Sequence, residues 1–355
     1  MCINSLSKGG AEKNFFEIAN SLSNKHKVYI FLLSESALDY YISNLNKNLT
    51  IIIFRNNKFK FILRNILLFR LIIKYKPDYI ISFLFYADLV TYLPSLISST
   101  KRIVSIRNNY FQQFSRGLKQ KMLLKFHGFS LFNCNSIVFV TKKLRNIYIE
   151  KLGLCNCNLN IIPNYVETDD IIPCKHTYGC KTLSLAFVGR VEHQKNLILL
   201  LNSLTSLVDQ NIPFNLDVVG DGSLLNDCKK YVQQNNLYDE VKFHGFNKEP
   251  FKIISESSVL ILPSLYEGFP NVILEAMAYR KIVLSSNCDT GPSEIISHEV
   301  NGLLFENNNQ KELEKYLIRI YSGYYNLDNL KNSAFDTAQH FSSHKMSSSY
   351  QKLIC

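Results

Sequence analysis

The sequence predicts an α/β protein made of two doubly wound parallel sheets in tandem. Three observations carry this expectation: a length of 355 residues, two series of almost continuous apolar, β-branched runs alternating with helical patterns, and one polar, turn-rich stretch between the series. A chain of this length exceeds one ordinary compact unit and suits two, each able to bury its own core. Strands apolar along their whole length, not on one face only, belong to parallel sheets covered by helices on both sides.

In the first series the strands read as Val28 to Leu33, Thr50 to Phe54, Tyr79 to Phe83, Arg102 to Ile106 and Ser136 to Val140. Between them helical spacing recurs at Ala11 to Ser23, Phe59 to Lys74, Tyr86 to Ile97, Leu118 to Leu131 and Lys142 to Leu152, which makes this half Rossmann-like. From Glu167 to Thr182 the pattern lapses into Asp169, Asp170, Pro173, Cys174, Gly179 and Cys180 after the extended Ile161-Ile162-Pro163-Asn164, the composition of a linker. A second series follows. Its strands are Leu183 to Val188, Asn215 to Val219, Val241 to His244, Val259 to Leu262 and Ile282 to Ser285. Its helices are Asn196 to Gln210, Ser223 to Asn235, Pro270 to Tyr279, Pro292 to Ser297 and Gln310 to Tyr321. The expected division is a domain over 1–165, a linker over 166–182, a second domain over 183–341 and a terminal segment over 342–355. The default ligand site is then a cleft between the domains, beyond the carboxyl ends of the strands.

Composition narrows the function classes. A hydrophobic share of 46% with 12% aromatics is that of a globular chain and excludes a disordered one. The net charge of +11 is uneven: residues 1–165 hold 23 Lys and Arg against 7 Asp and Glu, the remainder 17 against 22. The first half therefore faces something anionic, a membrane surface or a phosphate-bearing acceptor. Its Tyr and Phe are dispersed without a nucleic-acid-binding module, so nucleic acid is not expected. The run Phe59 to Ile73 is broken by Lys60, Arg64, Asn65 and Arg70 and cannot span a bilayer. Leu63, Leu67, Leu68 and Leu71 with Arg64, Arg70 and Lys74, and again Met122, Leu123, Leu124 and Phe126 with Lys119, Lys121 and Lys125, read as basic amphipathic helices able to lie on a membrane. A single such helix is ordinarily core-facing; two on the basic half point to peripheral contact. Nine cysteines, an odd number without a signal-peptide pattern, argue against a disulfide framework and for a reducing cytoplasm. Cys155, Cys157, Cys174 and Cys180 lack the paired spacing of a zinc site, and no metal is expected.

Two segments carry chemistry. After the strand Leu183 to Val188 comes Gly189-Arg190-Val191-Glu192-His193-Gln194-Lys195-Asn196. A guanidinium fork and a compact ammonium at a strand end suit a diphosphate and can neutralise it as it departs. After Val259 to Leu262 comes Ser264-Leu265-Tyr266-Glu267-Gly268-Phe269-Pro270-Asn271, leading to Glu275. Gly268 permits a sharp turn, and Pro270 is placed to start a helix whose N-terminal end attracts phosphate. Glu267 and Glu275 flank that helix start, and carboxylates accept hydrogen bonds from the hydroxyls of a sugar and a ribose. The four charged residues thus divide into a cationic pair for a diphosphate and an acidic pair for hydroxyls. His193 and His298 lie in motif-bearing loops, whereas His26, His127, His176, His340 and His344 follow no partner pattern and read as surface or packing residues.

With Gly9-Gly10-Ala11-Glu12, Ile162-Pro163-Asn164, Val219-Gly220-Asp221-Gly222, Thr290-Gly291-Pro292-Ser293-Glu294 and Asn301-Gly302-Leu303-Leu304 added, the chain resembles glycosyltransferase family 4 along nearly its whole length. The resemblance implies the GT-B fold, two Rossmann-like domains facing across a cleft, and metal-independent transfer with retention at the anomeric carbon, without a cofactor. It implies catalysis through Arg190, Lys195 and Glu267, and donor binding by Gly9, Gly10, Gly189, Arg190, Lys195, Glu267, Gly268, Phe269, Pro270, Asn271 and Glu275. Residues Ser342 to Leu353 would form a helix crossing back to the first domain. The chain departs from the family pattern twice. Little precedes Gly9, so either the first strand is short or the true start lies upstream. Many members carry a His after the strand corresponding to Arg102 to Ile106; here Arg107 stands near the expected sugar position, with Asn108 or Asn109 adding hydrogen bonds.

The expected activity is transfer of a sugar from a nucleotide-sugar, a UDP-sugar first and a GDP-sugar second, to a lipid-linked or polysaccharide acceptor of bacterial lipopolysaccharide, O-antigen or capsule, at the inner face of the cytoplasmic membrane. Two other classes stay open: a nucleotide-sugar epimerase or phosphorylase of the same architecture, and a non-catalytic sugar-nucleotide-binding component of an assembly complex.

Overall fold

The computed structural model describes residues 1–4, 9–34, 46, 48–54, 60–114, 117–155, 157–168 and 182–354. Two compact units emerge: Met1–Tyr165 together with Ser343–Cys355, and Val166–Ser342. The candidate linker residues 169–181, with Cys174, His176 and Cys180, lie outside the described residues.

The first unit is built on seven parallel strands: β1 (Cys2–Ile3), β2 (Val28–Leu32), β3 (Leu49–Ile53), β4 (Tyr79–Phe83), β5 (Lys101–Ile106), β6 (Ser136–Phe139) and β7 (Leu159–Ile161), in the order β3-β2-β1-β4-β5-β6-β7. Side-chain alternation sends neighbouring strand residues to opposite faces. Ile3, Ile30, Leu32 and Phe83 pack with Phe15, Ile18, Ala19 and Leu22 of helix Gly10–Ser23 and with Met346 and Tyr350 of the C-terminal helix Ser343–Leu353. Cys2, Phe31 and Ile80 pack on the other face with Leu68 and Ile72 of helix Lys60–Tyr75 and Ala87 and Val90 of helix Phe85–Leu96. Leu63, Leu67 and Leu71 join that second core, and Arg64 donates to the Leu33 carbonyl at 2.5 Å while stacking on Phe54. The first of the two membrane-helix candidates therefore spends its apolar face on its own core.

The second unit carries β8 (Leu183–Val188), β9 (Phe214–Val219), β10 (Val241–Gly245), β11 (Val259–Leu262), β12 (Ile282–Asn287) and β13 (Leu303–Glu306), all parallel, in the order β10-β9-β8-β11-β12-β13. The run Val-Leu-Ile-Leu of β11 is buried throughout, as a central strand covered on both faces requires. Asn309 and Asn326 start the helices Gln310–Tyr321 and Leu327–Gln339 by accepting the backbone N–H of Glu312 and Asn329, each at 3.1 Å.

The short first strand is present, and two further strands and one long helix were not anticipated. β1 has two residues, β7 has three, and β13 begins inside the segment Asn301-Gly302-Leu303-Leu304, which the sequence marks only as part of the family resemblance. Leu327–Gln339 buries Leu330, Ala334 and Ala338, a stripe with too few large side chains to signal a helix. No described helix is long and apolar enough to cross a membrane.

Candidate functional site

In the second sheet β8 and β11 are neighbours, yet the chain leaves them in opposite directions, to β9 and β10 on one side and to β12 and β13 on the other. Such a reversal of strand order opens a crevice beyond the carboxyl ends of the two strands. The two chemistry-bearing segments begin there: residues 189–196 follow β8, and residues 263–270 follow β11 and lead into helix Asn271–Ala278.

Backbone and side chain stitch these loops together. The Leu265 N–H donates to the Gln194 carbonyl at 2.9 Å, and Gln194 Nε2 donates to the Tyr266 carbonyl at 2.8 Å. Asn307 Nδ2 reaches the Leu265 carbonyl at 2.9 Å, and Ser286 Oγ the Ser264 carbonyl at 2.5 Å. Within this frame Lys195 Nζ meets Glu267 Oε1 at 2.6 Å, with side chains only 14% and 8% exposed. The contact joins one member of the cationic pair to one member of the acidic pair, across 72 residues of sequence.

Two neighbouring loops hold the frame. Thr290 Oγ1 donates to the Glu267 carbonyl, and Gly291 adopts φ 95°, where a Cβ would lie 2.8 Å from Pro270 Cδ. On the β8 side Gly220 passes so close to Gly189 that a Cβ would meet its carbonyl oxygen at 1.8 Å. The Val191 N–H donates to the Asp221 carbonyl at 2.9 Å, and Ser223 donates from its N–H and hydroxyl to Glu192 at 2.9 and 2.7 Å. These donors, the Ser223 N–H first, hold Glu192 below the usual carboxylate range. Gly220-Asp221-Gly222 is thus a buttress for the loop that presents Arg190 and Lys195.

Arg190 is exposed. Burial pushes the Tyr266 phenol up, with Arg190 opposing and Glu267 reinforcing that shift, so the Arg190 charge is felt beside the Lys195–Glu267 pair. Cys288, under the same loop, is pushed up to about 12, chiefly by burial and next by Glu267. Glu267, Gly268, Phe269 and Pro270 are buried, and the Phe269 ring lies 5.8 Å from that of Phe341. Pro270 caps the helix instead of opening it; Asn271 is the first helical residue, and Glu275 is half-buried one turn further on. The arrangement combines cations suited to phosphate with carboxylates suited to hydroxyls.

His193 is exposed in the turn His193–Lys195, while His298 is engaged within its own unit: Nδ1 accepts the Leu304 N–H at 3.0 Å and Nε2 lies 3.1 Å from the Tyr316 hydroxyl. Among the described residues no group of three or more His, Cys, Asp and Glu is placed to hold a metal ion; Cys155 and Cys157 are free thiols.

The description Glycosyltransferase Family 4 matches residues 8–170, and Glycosyl transferases group 1 matches residues 177–337. The chain belongs to the family 4 glycosyltransferases. It is similar to the lipopolysaccharide 1,6-galactosyltransferase of Escherichia coli K12, 33% identical over 43% of this chain and 44% of that one. It is also similar to a Campylobacter jejuni α-1,4-N-acetyl-D-galactosaminyltransferase acting on a diphosphoundecaprenol-linked saccharide, 25% identical over 99% of this chain and 96% of that one. The chain spans less than two thirds of the length of the first curated relatives it matches. Among solved structures, Anabaena HepE in complex with UDP shares the fold with a TM-score of 0.81 at 16% identity, over 99% of this chain and 97% of that one.

In the first unit of this family 4 glycosyltransferase, Gly9 precedes and Gly10 opens helix Gly10–Ser23. Arg107 follows β5 with its side chain buried, its guanidinium 4.4 Å over the Phe83 ring and Nε, Nη1 and Nη2 all without a hydrogen-bond partner among the described residues. Burial holds this guanidinium below its ordinary range, with the Tyr350 and Tyr110 hydroxyls opposing. Asn108 accepts the Asn109 N–H at 2.8 Å, and Asn109 caps the short helix Tyr110–Gln113 through the Phe111 and Gln112 N–H groups. Asn109 is therefore a structural residue. His127, expected to be a surface or packing residue without a partner, lies fully buried with Nε2 3.1 Å from Asp88, itself 2.7 Å from the Ser82 hydroxyl. No spacing rule links Asp88 to His127; two helices of the fold bring them together.

Proposed function

We propose that this protein transfers a glycosyl group from a nucleotide-sugar, a UDP-sugar first, to a lipid-linked or polysaccharide acceptor in bacterial surface polysaccharide assembly, with retention of anomeric configuration and without metal or cofactor. The observation that carries the reading is the Lys195–Glu267 pair at the crevice between β8 and β11, with Arg190 exposed beside it. The names of the E. coli and C. jejuni relatives support the acceptor class.

In this reading Arg190 and Lys195 hold the donor diphosphate. Glu267 keeps Lys195 in place through one carboxylate oxygen and accepts a sugar hydroxyl through the other, while Glu275 takes the ribose. The anomeric carbon's bond to the diphosphate oxygen breaks with its electron pair staying on the nucleotide. The acceptor oxygen bonds to the same face of the carbon, and its proton passes to the departing phosphate. Charge grows on the leaving group, so two fixed cations supply the main stabilisation. Arg107 of the first unit, a buried guanidinium with donors to spare, suits an oxygen-rich group of a substrate. The excess of positive charge in residues 1–165 suits peripheral contact with an anionic membrane that carries the acceptor.

The test is a panel of UDP- and GDP-sugars screened for thermal stabilisation of the purified protein, followed by a transfer assay with the stabilising donor and a lipid-diphosphate saccharide. Stabilisation by a nucleotide-sugar followed by transfer supports the reading; stabilisation without transfer or hydrolysis favours a non-catalytic binder and overturns it.

A further inference from the structure

We infer that the outward face of helix Leu118–Leu131, joined by the adjoining end of helix Phe85–Leu96, is the surface by which the first unit docks on an anionic lipid bilayer. The helix is turned the opposite way from an ordinary surface helix. It buries His127, Gly128, Ser130 and Leu131, and it exposes Leu118 by 77%, Met122 by 65% and Phe129 by 61%. Leu118, Met122, Phe126 and Phe129 recur at spacings of four, four and three, so they share one face.

The Tyr92 ring connects this face to its neighbour, 5.6 Å from Phe126 and 6.3 Å from Phe129. Leu96, one turn beyond Tyr92, is exposed, as are Leu93 and Ile97. Large apolar side chains exposed along one helix face mark an interaction site, because scattered exposure would not align in this way.

Charge selects the partner. Lys119, Lys121 and Lys125 are exposed on the same helix, and from Leu89 to Ile149 the chain has ten Lys and Arg and no Asp or Glu. An apolar face edged by lysines without a single carboxylate suits anionic headgroups over buried acyl chains. A protein partner or a second copy of this chain, whose net charge of +11 opposes self-association, fits less well. The other amphipathic candidate, helix Lys60–Tyr75, turns Leu68 and Ile72 into the core and serves as an internal control.

This surface rests on the membrane contact proposed above and adds its location. The test is co-sedimentation of the full chain with vesicles of equal parts phosphatidylcholine and phosphatidylglycerol, against vesicles of phosphatidylcholine alone. Wild type and an Ile66→Ser/Ile73→Ser control should bind the anionic vesicles in a salt-sensitive manner. Met122→Ser/Phe129→Ser and Lys119→Glu/Lys121→Glu/Lys125→Glu should bind at least about tenfold more weakly, with wild-type melting temperature and wild-type stabilisation by UDP. If wild type binds but both variants bind equally well, the location is wrong. If wild type binds no anionic vesicle, or forms a dimer that Met122→Ser/Phe129→Ser dissolves, membrane docking itself is overturned while the UDP stabilisation still reports on the donor site.

Discussion

Lys195 Nζ and Glu267 Oε1 lie 2.6 Å apart at the carboxyl ends of two neighbouring strands, and their side chains are nearly closed to solvent. A pair so covered is costly to break from one side, because the survivor keeps its charge in a poorly solvated place. Glu267→Gln should therefore loosen Lys195 as well as remove a hydroxyl acceptor. The expected result is a collapse of sugar transfer with UDP affinity changed far less, measured by calorimetric titration beside a transfer assay. Loss of nucleotide affinity alone would assign Glu267 the wrong role.

Gly220→Ala tests the buttress under Arg190. Its Cβ would lie 1.8 Å from the Gly189 carbonyl oxygen, a backbone atom that cannot swing aside. The variant should lose about 3 kcal/mol of stability or fail to accumulate, read as a lowered denaturation midpoint. A wild-type midpoint would show that the two loops do not pack as described.

Arg107 separates stability from activity. A buried, unpartnered guanidinium is a burden on folding, so Arg107→Met should raise stability by about 1 kcal/mol or more. If Arg107 meets substrate, the same variant transfers sugar poorly, and Arg107→Lys, which keeps the charge but loses the fork, recovers only part of the activity. A variant both less stable and fully active would contradict the assignment.

Much of this architecture is legible in the sequence, for reasons that also explain the gaps. Runs such as Val259–Leu262 and Leu183–Val188 are apolar along their length because both faces are covered, and that pattern survives without coordinates. Gly220 and Gly291 were visible as motif glycines, although what each one lets approach, the Gly189 carbonyl and Pro270, was not. The Lys195–Glu267 contact was hidden because it depends on β8 and β11 becoming neighbours, a property of strand order and not of spacing. Helix Leu118–Leu131 was legible as basic and apolar, but which of its faces points outward was decided only by packing, which buries His127 against Asp88 together with Gly128, Ser130 and Leu131.

Lys331 gives a pH-dependent signature. It lies nearly buried on helix Leu327–Gln339, which packs against helix Asn271–Ala278, and burial lowers its pKa from 10.5 to about 8. Between those two values the unfolded chain binds more protons than the folded one, so wild-type stability rises with pH across that window. Lys331→Met should be more stable than wild type at neutral pH, with the lead shrinking as pH climbs from about 8 towards 10.5. Denaturant melts across that range decide it; a lead independent of pH would point to packing alone.

The most direct test of a cationic centre for the departing diphosphate is steady-state turnover of Arg190→Ala and Lys195→Ala on the identified donor and acceptor. Each should lose roughly 100-fold or more in kcat, with circular dichroism unchanged. Turnover near the wild-type rate in both would contradict the proposal that these two residues stabilise the leaving group.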